Sequence, residues 1–414
     1  MMRGLHFAVI DEADSVLIDE ARTPLIIATE TEPADEQRWA EAALALADRL
    51  EEGRDYHLRH DRRVVELTRA GKARLADLGE ERGGLWRSRI RREKGVRQAL
   101  AARLLFDLGE HYIRRDGKVQ IVDEFSGRVM EDRSWNEGMH QLIELKEGVE
   151  VTGRKTATSR TSYQRFFRRY QRLAGMTGTA REVTAELRAV YRLDVIRVEP
   201  NRPSRRRALP TRYLPNLAAK REEIALRARE VAAAGRAVLI GTRSIAASRE
   251  LSATLDEAGI DHRVLNAEAE AEEAAIIAEA GRAGRVTVAT NMAGRGVDIG
   301  LGPGVEASGG LHVIQSEVHD ARRIDRQLAG RAGRQGEPGS VEAILSLEDP
   351  ILRLLHDGWG ASGLRDRLFR RLAPDRAFRS AQLRAERANS RIRKDLLKID
   401  EQTASMLALA GNAE

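Results

Sequence analysis

The chain has 414 residues, more than one compact domain normally holds, so about two to four domains are expected. A hydrophobic fraction of 42% excludes wholesale disorder, and an aromatic fraction of 4% argues against broad base-stacking platforms. The absence of cysteine excludes disulfides and thiolate-ligated zinc. The net charge is +6, and only eight of the 70 cationic residues are Lys. This basic balance permits nucleic acid, anionic lipid or acidic partners without selecting among them.

The first predicted element is a buried strand over residues 5–10, which runs directly into Asp11-Glu12-Ala13-Asp14. Because a sheet needs neighbouring strands, a chain whose first strand is already central is expected to lack its beginning. Residues 29–133 are polar, Arg-rich and helix-prone. They include a predicted hairpin over 111–122, which turns at Asp116-Gly117.

The second half of the chain alternates between strands and helices. Residues 134–200 are mixed helix and short strands, and 201–210 form the best linker candidate. Strands are then predicted at 237–240, 262–265, 286–289 and 312–314, with helices at 244–258 and 268–280. This alternation is typical of a doubly wound parallel sheet, whose ligand sites lie at the carboxyl ends of the strands.

The C-terminal tail has apolar residues at helical spacing. They are Phe378, Ala381, Ala385, Ala388, Ile392, Leu396, Ile399 and Met406. The spacing predicts one long amphipathic helix, whose apolar stripe must pack on this chain or on a partner.

An acidic pair follows an apolar strand at two places. Asp11-Glu12 follows residues 5–10, and Asp123-Glu124 follows residues 120–122. Such a carboxylate pair can hold Mg²⁺ and activate water beside a phosphate, but it can also be only the polar end of a strand. Because the second pair runs into a turn sequence at residues 125–128, we interpret it as a hairpin end.

Two later segments contain residues suited to phosphate. Gly294, Arg295 and Gly296 put flexible backbone and a cation after a predicted strand. Arg331 and Arg334 are three residues apart, so they can share one helix face and reach across a cleft. From composition alone, a Gly-rich turn and a solvated Arg face remain open as alternatives.

The motifs together resemble SecA, the family of preprotein translocase motor ATPases. Order and spacing agree for segments similar to the second to sixth motifs of that family: Asp11–Ile27, Gly175–Ala180, Val238–Ile245, Thr290–Ile299 and Gln327–Gly336. The similarity runs from about residue 3 to about residue 350, and a weaker match continues into residues 391–401.

The resemblance implies an α/β fold with two RecA-like motor domains of the helicase superfamily 2 type, the first of them incomplete. It also implies an inserted preprotein-binding domain and a C-terminal scaffold helix. The implied boundaries are 1–28 and 134–201 for the first motor domain, 29–133 for the preprotein-binding (cross-linking) insertion, 202–355 for the second motor domain and 356–414 for the start of the helical scaffold.

The resemblance also implies roles for individual residues. Asp11 would hold Mg²⁺ through water, Glu12 would be the general base, and Arg331 and Arg334 would be arginine fingers on the γ-phosphate. Nucleotide contacts are expected from Asp298, Gly294, Arg295 and Gly296, and coupling between the domains from Gly178 and Thr179. The implied ligands are ATP and Mg²⁺, and no zinc is expected.

The chain departs from the family pattern at its phosphate site. No Gly-x-x-x-x-Gly-Lys-Ser/Thr occurs, because Gly71-Lys72 and Gly117-Lys118 have Glu66 and Tyr112 where the first glycine would stand. The phosphate cradle and its Lys are therefore missing from this sequence. Smaller departures are Val297 for the family's Thr, Ala329 for Arg and Glu337 for Asp.

Our preferred hypothesis is a truncated or split SecA-like subunit that couples ATP hydrolysis to preprotein export through SecYEG. It would act at the cytoplasmic face of the inner membrane. The expected partners are the SecYEG translocon, unfolded preprotein, anionic inner-membrane lipid, and a separate N-terminal fragment or full-length SecA. The second hypothesis is a catalytically incompetent module that binds preprotein or SecA. The third, a nucleic-acid helicase-like ATPase, is disfavoured by the Thr23–Ile27 extension and by the insertion.

Overall fold

The computed structural model describes residues 5–30, 33–59, 64–122, 129–130, 133–153, 155–265, 273–290, 298–355 and 374–409. The chain divides into two compact units, a larger one of residues 1–25, 125–127 and 160–414, and a smaller one of residues 26–124 and 128–159. In the described part of the chain, no helix combines the length and apolarity needed to cross a membrane. The acidic pair Asp123-Glu124 lies outside the described residues.

The strands and helices are numbered in chain order. The strands are β1 (Phe7–Asp11), β2 (Pro24–Glu30), β3 (Tyr56–Arg59), β4 (Val64–Leu67), β5 (Tyr112–Arg115), β6 (Lys118–Val122), β7 (Val129–Met130), β8 (Lys155–Ser162), β9 (Arg172–Met176), β10 (Arg205–Ala208), β11 (Arg212–Leu214), β12 (Val238–Thr242), β13 (His262–Leu265), β14 (Val286–Thr290), β15 (Leu311–Gln315) and β16 (Pro338–Ser346). The helices are α1 (Pro33–Ala47), α2 (Arg69–Arg82), α3 (Arg89–Leu104), α4 (Met139–Lys146), α5 (Tyr163–Phe167), α6 (Thr184–Tyr191), α7 (Leu217–Ala233), α8 (Ile245–Glu257), α9 (Glu273–Ala280), α10 (Arg322–Ala329) and α11 (Pro374–Leu409).

A parallel sheet forms the centre of the larger unit, in the order β10-β16-β15-β12-β14-β13, with β11 also paired to β16. The predicted parallel α/β class is therefore confirmed. Every residue of β12 and β14 is buried. Because side chains alternate between sheet faces, Leu239 joins one apolar cluster while Val238 and Ile240 join another. We call residues 205–355, which contain this sheet, the second lobe.

The predicted linker is partly a strand. β10 pairs in parallel with β16, and all four of its side chains are exposed. The linker interpretation of 201–210 is therefore wrong over Arg205–Ala208. The strand was missed because its run of Arg shows no hydrophobic alternation. It forms through backbone pairing to β16 at the edge of the sheet.

The predicted first strand is buried on one side only. β1 pairs in parallel with β9, and Ile10 is buried, but Phe7 and Val9 are 59% and 52% exposed. The expectation of a fully buried strand is therefore wrong. Among the described residues, β1 and β9 form a sheet of two strands, and such a small sheet leaves one face of β1 exposed. We call residues 5–25 and 160–200 the first lobe. Its apolar cluster includes Ile10, Leu17 and Leu187.

The smaller unit combines helices α1 to α4 with two small antiparallel sheets, β3-β4 and β5-β6-β7. The predicted hairpin is confirmed, because β5 pairs with β6 across Asp116-Gly117, both at positive φ. Tyr112, Leu142 and Ile143 lie in the apolar core of the smaller unit.

The predicted C-terminal helix is also confirmed, as α11. Its buried side includes Phe378, Ala381 and Leu396, whereas Ile392 and Ile399 are about half exposed. The predicted stripe is therefore buried only in part. The side chain of Met406 lies outside the described residues.

Candidate functional site

A single buried carboxylate of the second motif accepts hydrogen bonds from residues of the third and sixth motifs and from Arg323. Asp14 is completely buried in the first lobe. The Thr177 hydroxyl donates to its Oδ1 at 2.6 Å, and the Thr179 hydroxyl donates to its Oδ2 at 2.7 Å. From the second lobe, Arg323 Nη1 and Gln327 Nε2 donate to Oδ2 at 3.1 and 3.0 Å. We call these five residues the Asp14 node.

The Asp14 node contains a buried positive charge, Arg323, that is compensated by buried carboxylates. Arg323 is buried and also forms an ion pair with Asp19. Burial lowers the pKa of the Arg323 guanidinium, and the nearby Asp14 carboxylate opposes that shift. Gln327 Nε2 also donates to the Thr179 hydroxyl at 3.0 Å. A buried ion pair with extra hydrogen bonds is costly to break, because either charge would remain uncompensated.

The local sequence explains how both halves of the node are positioned. Arg323 and Gln327 are four residues apart on α10, so they project from one helix face. Helix α10 packs tightly on β12, since a Cβ at Gly241 would lie 2.3 Å from a methyl carbon of Leu328. Likewise, a Cβ at Gly175 would lie 2.7 Å from the Ala13 Cβ, so glycine permits the close approach of β9 to the residues after β1.

The predicted catalytic pair lies where β1 ends. Asp11 is the last residue of the strand and is exposed, and its Oδ1 accepts a hydrogen bond from the Glu12 backbone at 2.8 Å. Glu12 has a left-handed backbone with φ of 47°, and the chain then enters a π-helical turn at Ser15–Asp19. Mg²⁺ commonly takes one or two carboxylates, with water and phosphate as its other ligands, so the exposed Asp11 carboxylate fits this ion.

The predicted arginine fingers do not share a helix face. Helix α10 ends at Ala329, and Gly333, at φ of 67°, separates Arg331 from the short turn that begins at Arg334. The expectation of a common helical face is therefore wrong, because the chain changes direction at this glycine. Arg331 is half-buried and lines a small cavity with Ile299 and Leu328.

Arg334 instead pairs with the predicted nucleotide-binding residue Asp298. Its Nη1 donates to Asp298 Oδ1 at 2.8 Å, and both side chains remain partly exposed. Burial and the Asp298 charge both raise the pKa of the neighbouring Glu337 carboxyl. These accessible groups suit a ribose hydroxyl and a phosphate. Gly294, Arg295 and Gly296 lie outside the described residues.

The two predicted coupling residues differ in their surroundings. Thr179 belongs to the Asp14 node, whereas Gly178 is exposed and has nothing within 4 Å of an added Cβ. Sequence reasoning missed Asp14, Arg323 and Gln327 as site residues. The available signal was the four-residue spacing of Arg323 and Gln327 on one predicted helix face, together with the second carboxylate after β1.

A separate group of metal-ligand types lies in the smaller unit. Ligand atoms of Asp107, Glu110 and His111 lie within 4.8 Å of one another. The backbone N–H of Asp107 donates to His111 Nδ1 at 2.8 Å. That hydrogen bond leaves the proton of the neutral imidazole on Nε2, so the ring is arranged to stabilise its own turn rather than to bind a metal.

The parallel sheet, the acidic motif at the end of β1 and the buried contacts between the lobes define a two-lobed α/β protein. The chain belongs to the SecA family. The model of the SecA DEAD-like domain matches residues 1–188, and the model of the SecA P-loop domain matches residues 205–308 and 303–366. The predicted family is therefore confirmed.

Curated relatives support this membership along the whole chain. The chain is 47% identical to protein translocase subunit SecA 2 of Nitrosospira multiformis, over 100% of this chain and 63% of the relative. It is 48% identical to protein translocase subunit SecA 3 of Magnetococcus marinus, over 100% of this chain and 64% of the relative. For protein translocase subunit SecA of Solidesulfovibrio magneticus the identity is 42%, over 97% and 48%. The chain thus spans less than two thirds of these relatives.

Proposed function

We propose that this chain belongs to an ATP-driven motor that moves preprotein. It would supply the acidic residues that activate water for ATP hydrolysis, together with the second lobe. The observation that carries the proposal is the Asp14 node, where residues of the second, third and sixth motifs share one buried carboxylate. A motor must link chemistry at one lobe to movement of the other. A buried, fully hydrogen-bonded contact between the lobes suits that task, because its alternative arrangements are discrete.

In the proposed mechanism each residue has a separate task. Through water, Asp11 would hold Mg²⁺, which would supply positive charge beside the phosphates. Glu12 takes the proton of the attacking water as general base. Arg334 leaves its ion pair with Asp298 and binds the γ-phosphate, with Arg331 beside it. Asp298 then accepts a hydrogen bond from a ribose hydroxyl. A finger of this kind contributes roughly 10³–10⁵ in rate.

We assign the domain roles, the partners and the location of the motor by analogy with the named relatives, which are protein translocase subunits. Residues 29–133 would bind unfolded preprotein, 1–28 and 134–201 would belong to the first motor domain, 202–355 would form the second, and 356–414 would begin the scaffold. The partners would be SecYEG and anionic lipid at the cytoplasmic face of the inner membrane. A further partner, either an N-terminal fragment or full-length SecA, would provide the phosphate cradle.

Complementation tests the proposal. A purified N-terminal fragment of a relative that bears a Gly-rich phosphate loop is mixed with this chain, and phosphate release is measured. We expect ATPase activity only in the mixture. Glu12→Gln should lower turnover by at least ~10³ while ATP binding persists, because an amide keeps the shape but cannot accept the proton. Asp123→Asn, at the other acidic pair, should change turnover little.

Two results would contradict the proposal. If Asp123→Asn abolishes turnover as completely as Glu12→Gln, the catalytic pair has been chosen wrongly. If the mixture stays inactive while the chain binds unfolded preprotein, the second candidate replaces the first. That candidate is a nucleotide-incompetent module for preprotein or SecA, and it is favoured by the missing phosphate-loop sequence.

A further inference from the structure

Helix α11 is fastened to both lobes of the larger unit. Near its start, Ala377 and Phe378 lie in one apolar cluster with Leu345 and Ile351 of the second lobe. Fifteen residues after Phe378, Arg393 forms a two-pronged ion pair with Glu186 of α6, at 2.6 and 2.7 Å. Because a helix rises 1.5 Å per residue, α11 connects points of the two lobes more than about 20 Å apart.

Between these two attachments, α11 holds α10 at its first turn. Gln382 Nε2 donates to Asp325 Oδ2 at 2.6 Å and to the His319 carbonyl at 3.0 Å. Glu386 Oε1 accepts from the Arg322 backbone N–H at 2.8 Å. Helix α10 has no side-chain cap of its own at Ala321, so Glu386 satisfies an N–H group that would otherwise lack a partner within the helix.

Helix α10 therefore carries two sets of contacts on opposite faces. Asp325 lies two residues from both Arg323 and Gln327, and a two-residue step turns by about 200° around a helix. Asp325 faces α11, while Arg323 and Gln327 reach Asp14. Gln315 Nε2 and the His319 backbone also donate to Asp325, so its carboxylate is held from several directions. A two-turn helix fixed on one face presents its other face in a defined position.

We propose that Gln382 and Glu386 are positioning residues, which hold α10 so that Arg323 and Gln327 engage Asp14. In this role α11 holds α10 from outside the Asp14 node, and the Glu386 carboxylate also favours the charged form of the Arg323 guanidinium. The importance of this positioning for ATP turnover rests on the proposed function, whereas the positioning itself is a property of the chain alone.

Hydrogen exchange of the whole chain without nucleotide tests the positioning. Gln382→Met keeps the length of the side chain but removes its two donated hydrogen bonds. A purely local role would loosen only α10 and α11. The proposal predicts that exchange also accelerates by about tenfold or more at Thr177–Thr179 in the first lobe, since hydrogen bonds to charged groups are among the stronger ones. Protection of β12, β14 and β15 should not change.

Three variants make the result decisive. Glu386→Ala should reproduce the effect at Thr177–Thr179 with less risk of unfolding, and Glu386→Gln, which keeps an acceptor oxygen, should restore protection. Arg384→Ala is the matched control on the same helix, because Arg384 donates to the Leu354 carbonyl rather than to α10. Unchanged exchange at Thr177–Thr179 in both Gln382→Met and Glu386→Ala would overturn the proposal, as would an equal effect of Arg384→Ala. None of these measurements requires turnover, so they remain decisive if complementation fails.

Discussion

Asp14 bears the largest concentration of interactions at the site. Its two oxygens accept from two hydroxyls, one guanidinium and one amide, with donors on α10 and after β9. Removing the carboxylate would leave Arg323 buried with only part of its compensation, from Asp19. The energy of the node therefore depends on all its members together rather than on separate pairs.

We predict that Asp14→Asn lowers the free energy of unfolding by about 3 kcal/mol, because it leaves a buried cation undercompensated. Adding Arg323→Met should recover part of the loss, since it removes the uncompensated charge. Urea denaturation of the two single variants and the double variant measures the coupling. Asp194→Asn removes one partner of an exposed ion pair with Arg188 and should cost less than about 1 kcal/mol. Additive losses at Asp14 and Arg323 would contradict this prediction.

At the level of residues, the sequence predicted the position of the acidic pair but not the contacts of Asp14. Asp11 and Glu12 lie at the end of a strand, as their motif indicates. The partners of Asp14 could not be identified in this way, because Thr177 and Gln327 are 163 and 313 residues away in sequence. The pairing of Arg334 with Asp298 was missed for the same reason.

At the level of elements, hydrophobic pattern predicted four strands of the central sheet and missed the edge strand β10. β13 occurs over the predicted residues, and β12, β14 and β15 differ from their predicted bounds by one or two residues. The last three strands are buried and rich in apolar residues because both faces of the sheet are covered. β10 was not predicted, because its Arg side chains are exposed and only its backbone pairing to β16 makes it a strand.

A buried ion pair connects α7 to the turn after β16 and should make stability depend on pH. Lys220 Nζ donates to Asp349 Oδ1 at 2.5 Å and to the Ser316 carbonyl at 3.0 Å. Burial raises the pKa of Asp349 from 3.8 to about 6, although Lys220 opposes the shift. Between these two values the native state holds more protons than the unfolded state, so the contribution of Asp349 to stability falls as pH rises from 4 to 6.

We therefore predict that the parent chain loses stability relative to Asp349→Asn between pH 4.5 and pH 7.5, by on the order of 2 kcal/mol. Urea denaturation at both pH values gives the comparison. Asp261→Asn, at an exposed carboxylate paired with Arg285, serves as the control and should show little pH dependence. A gain of the parent over Asp349→Asn as pH rises would show that Lys220 dominates the environment of Asp349.

At the level of the whole molecule, the order of motifs predicted the family, and the family models confirm it. The contacts of α11 with both lobes could not be predicted, because an amphipathic stripe does not specify what covers it. Its half-exposed Ile392 and Ile399 show that part of the predicted stripe lies outside the contact. The Asp14 node and α11 thus join the lobes at separate places in the larger unit.

We propose that this chain supplies one side of a nucleotide site and that another segment supplies the phosphate cradle. Calorimetric titration with ATP and Mg²⁺ measures each contribution, first on the chain alone and then on its mixture with the fragment bearing the phosphate loop. We predict weak binding to the chain alone and tighter, Mg²⁺-dependent binding to the mixture than to either component, because backbone donors and the Lys of the loop make most phosphate contacts. Sub-micromolar, Mg²⁺-dependent affinity for the chain alone would show that tight ATP binding does not need the loop, contrary to this proposal.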